Sequence, residues 1–197
     1  MDMDKKTLCK NLEHYETPEW AVESVLDVEI LTERVVDPCA GTGVLGRVAD
    51  RRGYKTVSLD LHDWGFGART PCDYLDPDVY TREMVRDATV LMNPPFSKAE
   101  DFVRQSIILG AKKIVCFCPI SFWTSIKRKQ LFDECPPASI HVLSERATCW
   151  RHDIPPGLRK GTTRALYAWF VWRLPFFRAD GGGTEITRLY KSGDSLS

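Results

Sequence analysis

Two rhythms of apolar and polar positions alternate along the chain. Short apolar runs, several of them β-branched, recur at Arg34-Val35-Val36-Asp37, Tyr54 to Asp60, Ala88-Thr89-Val90-Leu91-Met92, Lys113 to Pro119, Ile140 to Ser144 and Leu166 to Trp172. Such runs read as buried strands. Between them lie stretches with helical spacing. One carries Trp20, Val22, Val25 and Leu26, one spans Val44 to Ala49, and one starts at Asp76-Pro77-Asp78 and runs to about Asp87. Two more carry Phe102, Val103, Ser106, Ile107 and Leu109, and Ser125 to Glu134. Strands alternating with helices predict an α/β fold with a mainly parallel sheet. Ile186 to Tyr190 adds a last strand, and the late hairpin predicts an antiparallel edge.

Local signals set the expected element ends. Thr17 is placed as N-cap and Pro18 at the first helical position of a helix of about 10 residues. Gly53 follows a helix as its left-handed terminator. Ser97 and Glu100 have capping-box spacing ahead of another.

The stretch with most chemistry is Asn93-Pro94-Pro95-Phe96. It falls where a buried strand ends and a helix begins, and ligands of open α/β sheets bind at the carboxyl ends of strands. Two prolines stiffen the turn and leave carbonyls pointing outward. The Asn side chain adds an amide oxygen. Two rigid acceptors beside an aromatic face form a clamp for a planar group bearing an NH2. The same tetrapeptide also serves as a tight turn with no chemistry, and its residues alone leave both readings open.

Upstream, a strand runs into Asp37-Pro38-Cys39-Ala40-Gly41-Thr42-Gly43 and then a helix, which is the start of a nucleotide-binding βαβ unit. No Gly-Lys-Ser/Thr follows, so a phosphate cradle is disfavoured. Asp60 ends the next strand about 20 residues past the glycines, where an acid commonly takes ribose hydroxyls. Taken alone it reads as a helix cap or loop acid; in register with the glycine turn it reads as the ribose partner. Asp73 is placed to accept from the exocyclic amine of a bound adenine.

Composition narrows the classes. The chain has 197 residues, 43% hydrophobic and 27% charged, so one domain with a proper core is expected. No apolar run approaches the ~20 residues of a membrane span, and no signal peptide is visible. Seven cysteines lack a metal-ligand spacing, and His62-Asp63 has no second ligand pair, so no metal is expected. A reduced, cytosolic chain follows. Cys116-Phe117-Cys118 is expected to send its two sulfurs to opposite faces of a strand. The net charge of zero hides an asymmetry: residues 1–111 carry 13 Lys and Arg against 20 Asp and Glu, the remainder 14 against 7. A basic second half fits a polyanion partner, or simply a lopsided surface. Its available cations are Lys127, Arg128, Lys129, Arg159, Lys160 and Arg164.

Taken in order, Tyr15-x-Thr17-Pro18, Asp37 to Gly43, Asp60, Asp73 and Asn93-Pro94-Pro95-Phe96 resemble the S-adenosylmethionine-dependent amino-methyltransferases. The order looks like the N6-adenine DNA methyltransferases, especially the small phage and prophage type. Phe66-Gly67, Ser144-Glu145-Arg146 and Tyr167 to Trp172 also look like that group. The resemblance spans about residues 15 to 190 and implies a Rossmann-like class I methyltransferase domain over residues 1–197, with no separate target-recognition domain. It implies that Asp37, Cys39, Ala40, Gly41 and Gly43 hold the methionine part of S-adenosylmethionine, that Tyr15, Thr17 and Pro18 close over it, that Asp60 with Leu61 takes the ribose, and that Asp73 and Tyr74 take the adenine. Asn93 and the Pro94 carbonyl would accept the target amine's hydrogens, with Pro95 stiffening the turn and Phe96 stacking on the base. Lys127, Arg128, Lys129, Arg146, Arg159, Lys160 and Arg164 would hold DNA. Bacterial host cytoplasm is the implied setting for a phage enzyme. RNA or protein-glutamine acceptors, a homodimer and a non-catalytic partner subunit remain open alternatives.

Overall fold

A computed structural model describes residue 13 and residues 15–76, 81–151, 165–175 and 183–191. Its centre is a seven-stranded sheet built from β2 (Arg34–Asp37), β3 (Lys55–Ser58), β4 (Thr89–Met92), β5 (Lys113–Pro119), β6 (Ser139–Leu143), β8 (Tyr167–Arg173) and β9 (Glu185–Leu189). A separate two-stranded ribbon pairs β1 (Tyr15–Glu16) with β7 (Trp150–Arg151). The sheet order is β3-β2-β4-β5-β8-β6-β9. Pairings are parallel from β3 through β5 and between β6 and β9. The antiparallel pairings fall toward the late-strand end, where β8 lies between β5 and β6. Each expected strand is present. Tyr54 to Asp60 is shortened to Lys55–Ser58, because Leu59 and Asp60 turn instead toward Arg69.

The pleat sorts the core into two layers, because successive strand residues point to opposite faces. Val36, Val90, Met92, Ile114, Phe170 and Trp172 pack on one face, against Val85 of α3 (Thr81–Val85), Phe102 and Val103 of α4 (Ala99–Ile108) and Leu131 of α5 (Lys129–Glu134). Val35, Leu91, Val115, Phe117, Trp169 and Val171 pack on the other. There they meet Val22 and Val25 of α1 (Glu19–Leu26) and Leu45 and Val48 of α2 (Val44–Arg51). Near-continuous apolar strands are what a sheet covered on both faces requires. The buried indoles are satisfied: Trp169 donates to the Ala21 carbonyl and Trp172 to the Cys135 carbonyl, each at 2.8 Å.

Several local expectations change. Pro18, not Thr17, occupies the N-cap of α1, which has eight residues, because the Thr17 hydroxyl is engaged elsewhere. The Ser97–Glu100 capping box does not form. Lys98 is the N-cap of α4, so Glu100 sits too early in the helix to reach back and instead pairs with Arg104 at 2.9 Å. Ser125 to Glu134 splits into a 3-10 turn at Ile126–Arg128 and α5. The start of the helix expected at Asp76-Pro77-Asp78 lies outside the described residues. Cys116 and Cys118 share a face, their sulfurs 3.6 Å apart, as residues two apart on one strand must.

Candidate active site

The carboxyl ends of β2, β3 and β4 converge on one cavity of about 230 Å³. Of the residues expected at a cofactor site, Tyr15, Thr17, Cys39, Ala40, Gly41, Asp60, Leu61, Asp73, Tyr74 and Asn93 all line it, and so does Pro95. Pro18, Asp37, Gly43, Pro94 and Phe96 lie outside its wall. Glu13, Glu16, His62, Trp64, Ser97 and Lys98 also line it. His62 and Trp64 belong to a Gly- and aromatic-rich loop visible in the sequence. Glu13 and Lys98 carry no motif that would have placed them there.

Asp60 organises one wall. Its Oδ2 accepts the Gly41 N–H at 2.8 Å, and its Oδ1 accepts the His62 N–H at 2.9 Å and the Trp64 Nε1–H at 3.1 Å. The glycine turn is thus held by the very acid expected to take a ribose. Each carboxylate oxygen has two lone pairs, so Oδ2 keeps capacity for a second donor. Gly43 serves packing: its φ is +80°, and a Cβ there would lie 2.3 Å from the Phe66 ring. The aromatic loop therefore closes on the glycine turn through a gap that only a hydrogen can leave open.

Beneath the turn, Asp37 is 1% exposed. Its Oδ1 accepts the Cys39 N–H at 3.3 Å while Oδ2 has no partner. Burial pushes its pKa up, opposed by the Cys39 N–H and aided by the nearby Asp60 charge, to about 8. Burial, with Asp37 and Asp60 adding to it, drives the Cys39 thiol well above its ordinary range against an opposing N–H from Asn93. Burial raises Cys72 as well. The cysteines of the cavity wall are therefore held as thiols and supply no thiolate nucleophile.

The tetrapeptide turn closes the other side. Asn93 Nδ2 donates to the Tyr15 carbonyl at 3.0 Å and to Thr17 Oγ1 at 2.9 Å. The carboxamide is pinned by its nitrogen end. Phe96 stacks near Tyr15, with centroids 6.3 Å apart and planes at 8°, and tilts against Tyr167 at 5.9 Å. Phe96 thereby joins both core layers. Tyr74 sends its hydroxyl to Ser106 at 2.9 Å and stacks on Phe102, so it offers the cavity its ring and not its hydroxyl.

No family model and no curated protein matches this sequence. Solved structures do. A Pyrococcus horikoshii protein taken to be an RNA methyltransferase superposes with a TM-score of 0.56 at 16% identity, over 82% of this chain and 87% of its own. A Listeria monocytogenes protein taken to be a class I S-adenosylmethionine-dependent methyltransferase gives 0.53 at 12% identity, over 87% and 62%. The fold is that of the class I methyltransferases. A modification subunit from Vibrio vulnificus, ascribed to a type I restriction enzyme, gives 0.56 at 17% identity, over 89% of this chain but 47% of that one. At these identities the likeness is one of fold.

On this methyltransferase fold the expected nucleic-acid residues scatter. Lys127 and Arg146 are exposed. Arg128 is half-buried, lies over the Phe122 ring at 4.6 Å and donates to the Phe96 carbonyl at 3.4 Å, so it braces the tetrapeptide turn. Lys129 pairs with Asp133 within α5. Arg159, Lys160 and Arg164 lie outside the described residues.

Proposed function

We propose that this chain transfers a methyl group from S-adenosylmethionine to the N6 amine of adenine in DNA. The observation that carries the proposal is the Asn93 carboxamide. It is fixed by its nitrogen at the carboxyl end of β4, beside a cavity whose far wall is the Gly41–Asp60 pair.

S-adenosylmethionine, when bound, supplies a methyl group already activated on a sulfonium. The residues fit such a group. Gly41, Asp60, Asp73 and the Tyr74 ring would hold its nucleoside end. The Tyr15–Thr17 segment would lie toward the methionine end. What remains for the chain is to make the amine nucleophilic and to position it. An adenine N6 lone pair is delocalised into the ring. Acceptors on its two hydrogens, Asn93 Oδ1 and the Pro94 carbonyl, draw the nitrogen toward sp3 and localise that pair. This help is greatest as the bond forms, which is where binding energy accelerates a reaction.

The fold alone leaves the acceptor open, since its neighbours are ascribed to RNA methylation in one case and to the modification subunit of a restriction enzyme in another. The order of Tyr15-x-Thr17-Pro18, the glycine turn, Asp60 and Asn93-Pro94-Pro95-Phe96 favours adenine in DNA. A duplex adenine would be flipped out, at a cost of a few kcal/mol. The test is to incubate the protein with labelled cofactor and, separately, DNA, RNA and protein acceptors, then digest the DNA and identify the modified nucleoside. N6-methyladenine that disappears in Asn93→Ala is the expected result. Label only in RNA or protein, or none at all, would overturn the assignment.

A further inference from the structure

We propose that Thr17, together with the Tyr15 carbonyl, sets the working orientation of the Asn93 carboxamide and is a positioning residue for methyl transfer; this rests on the reading of Asn93 as the amine acceptor. A carboxamide has one donor end and one acceptor end of nearly the same shape. Which end faces the substrate decides whether Asn93 accepts from an NH2 or repels it. Here the choice is forced. The Tyr15 carbonyl can only accept, so turning the amide over would set two oxygens against each other at about 3 Å. The Thr17 hydroxyl takes the second Nδ2 hydrogen. Both donors are engaged, and Oδ1 is the end left for a ligand.

Thr17 is built for this role. It is 3% exposed, and Pro18 after it begins α1 at its N-cap, which fixes the backbone that presents the hydroxyl. The same short segment ties down both turns of the site. The Glu13 carboxylate accepts the Ser97 N–H at 3.0 Å and the Ser97 hydroxyl at 2.8 Å. The Glu16 carboxylate accepts the Thr42 hydroxyl at 3.0 Å. Pairing of β1 with β7 supports the segment from outside. Glu13, Tyr15, Glu16 and Thr17 thus hold the glycine turn and the catalytic turn in one register, and Thr17 is the point where they meet the reacting group.

The test compares Thr17→Val, which keeps the shape and removes the acceptor, with Thr17→Ser, which keeps the hydroxyl. Turnover on DNA should fall on the order of ten-fold or more in Thr17→Val. Cofactor affinity by calorimetry should fall by a clearly smaller factor than turnover, and Thr17→Ser should restore turnover. Independently of activity, the Asn93 side-chain NH2 pair in 15N-edited NMR spectra, assigned by its loss in Asn93→Ala, should shift in Thr17→Val and stay in place in Thr17→Ser. Should Thr17→Val not fold, Thr17→Ala serves in its place. Parent turnover, a parallel loss of cofactor affinity, no rescue by Ser, or an unmoved NH2 pair would each overturn the proposal. If the parent protein methylates nothing while the NH2 pair responds as expected, the reading of the site as an amine methyltransferase fails and the hydrogen-bond geometry stands.

Discussion

Single side chains at this site tie the protein together and, under the proposed function, also serve the ligands, and substitutions should separate the two. Asn93→Ala removes an acceptor that matters most as the amine nitrogen pyramidalises, so turnover should drop about 10²–10³-fold with little change in cofactor affinity, as for one oxyanion-type donor. Single-turnover kinetics beside calorimetry will check it. Asp60 holds three N–H donors of the chain itself. Asp60→Ala should therefore weaken S-adenosylmethionine by roughly 1.5–3 kcal/mol, the range for hydrogen bonds to a charged group, and lower the melting temperature as well. Unchanged affinity in a folded variant would remove the ribose role. Phe96 is wedged between Tyr15 and Tyr167, so truncation to Ala mixes packing with stacking. Phe96→Leu keeps apolar bulk, and its loss of affinity for a mismatched adenine should be roughly 1–3 kcal/mol if the ring stacks on the base. An abasic site should show no such loss. The placement of Asn93 and Asp60 on the cavity wall was legible because both stand at strand ends. That both were also hydrogen-bonded within the protein was not, since each partner is distant in sequence.

At the scale of elements, the end of the sheet opposite the cavity is closed by an ion cluster. Glu29, just past α1, accepts from Lys113 at the start of β5, from His141 in β6 and from Arg173 at the end of β8, at 2.8, 2.9 and 2.6 Å. Burial would raise its pKa. Hydrogen bonds from His141 and Lys113, with the Lys113 and Arg173 charges, outweigh that and hold it at about 2. A folded-state pKa below the unfolded value of 4.5 means the stabilisation is fully present above about pH 4.5 and is lost as pH falls toward 2. Glu29→Ala would take the buried carboxylate away from Lys113, His141 and Arg173 and should destabilise by ~3 kcal/mol. It should also flatten the acid limb of a stability-versus-pH curve, measured by urea unfolding between pH 2 and pH 6. A parent-like acid limb in Glu29→Ala would show that other groups govern it. The strands of this end were plain from their apolar runs. The cluster was not, because Glu29, Lys113, His141 and Arg173 are single polar residues in four separate segments.

For the whole molecule, the charge asymmetry predicts a salt-dependent hold on nucleic acid. DNA affinity should fall steeply with salt, and Lys127→Ala should flatten that slope by about one phosphate contact. Arg128→Ala should instead lower turnover, because its guanidinium braces Phe96 and the Phe122 ring. Fluorescence anisotropy titrations over a range of salt concentrations separate the two, and an affinity indifferent to salt would remove the electrostatic hold altogether. No helix among the described residues is long and apolar enough to cross a membrane. Sequence by itself determined the alternation of strands and helices, and with it the parallel sheet and the strand ends where Gly41, Asp60 and Asn93 stand. These follow from the period of apolar residues and the short-range chemistry of Gly and Pro. Tertiary structure alone decided the position of β8 between β5 and β6, the cap of α4, the turn of Arg128 away from solvent, and the pinning of Asn93 by Thr17. Each of those depends on which distant polar group offers the better hydrogen bond once the sheet has formed. Glu13 takes the exposed Ser97 N–H and hydroxyl before Glu100 can, and the partly buried Asn93 amide takes the Thr17 hydroxyl from the start of α1, because a donor withdrawn from water must find an acceptor wherever the fold brings one.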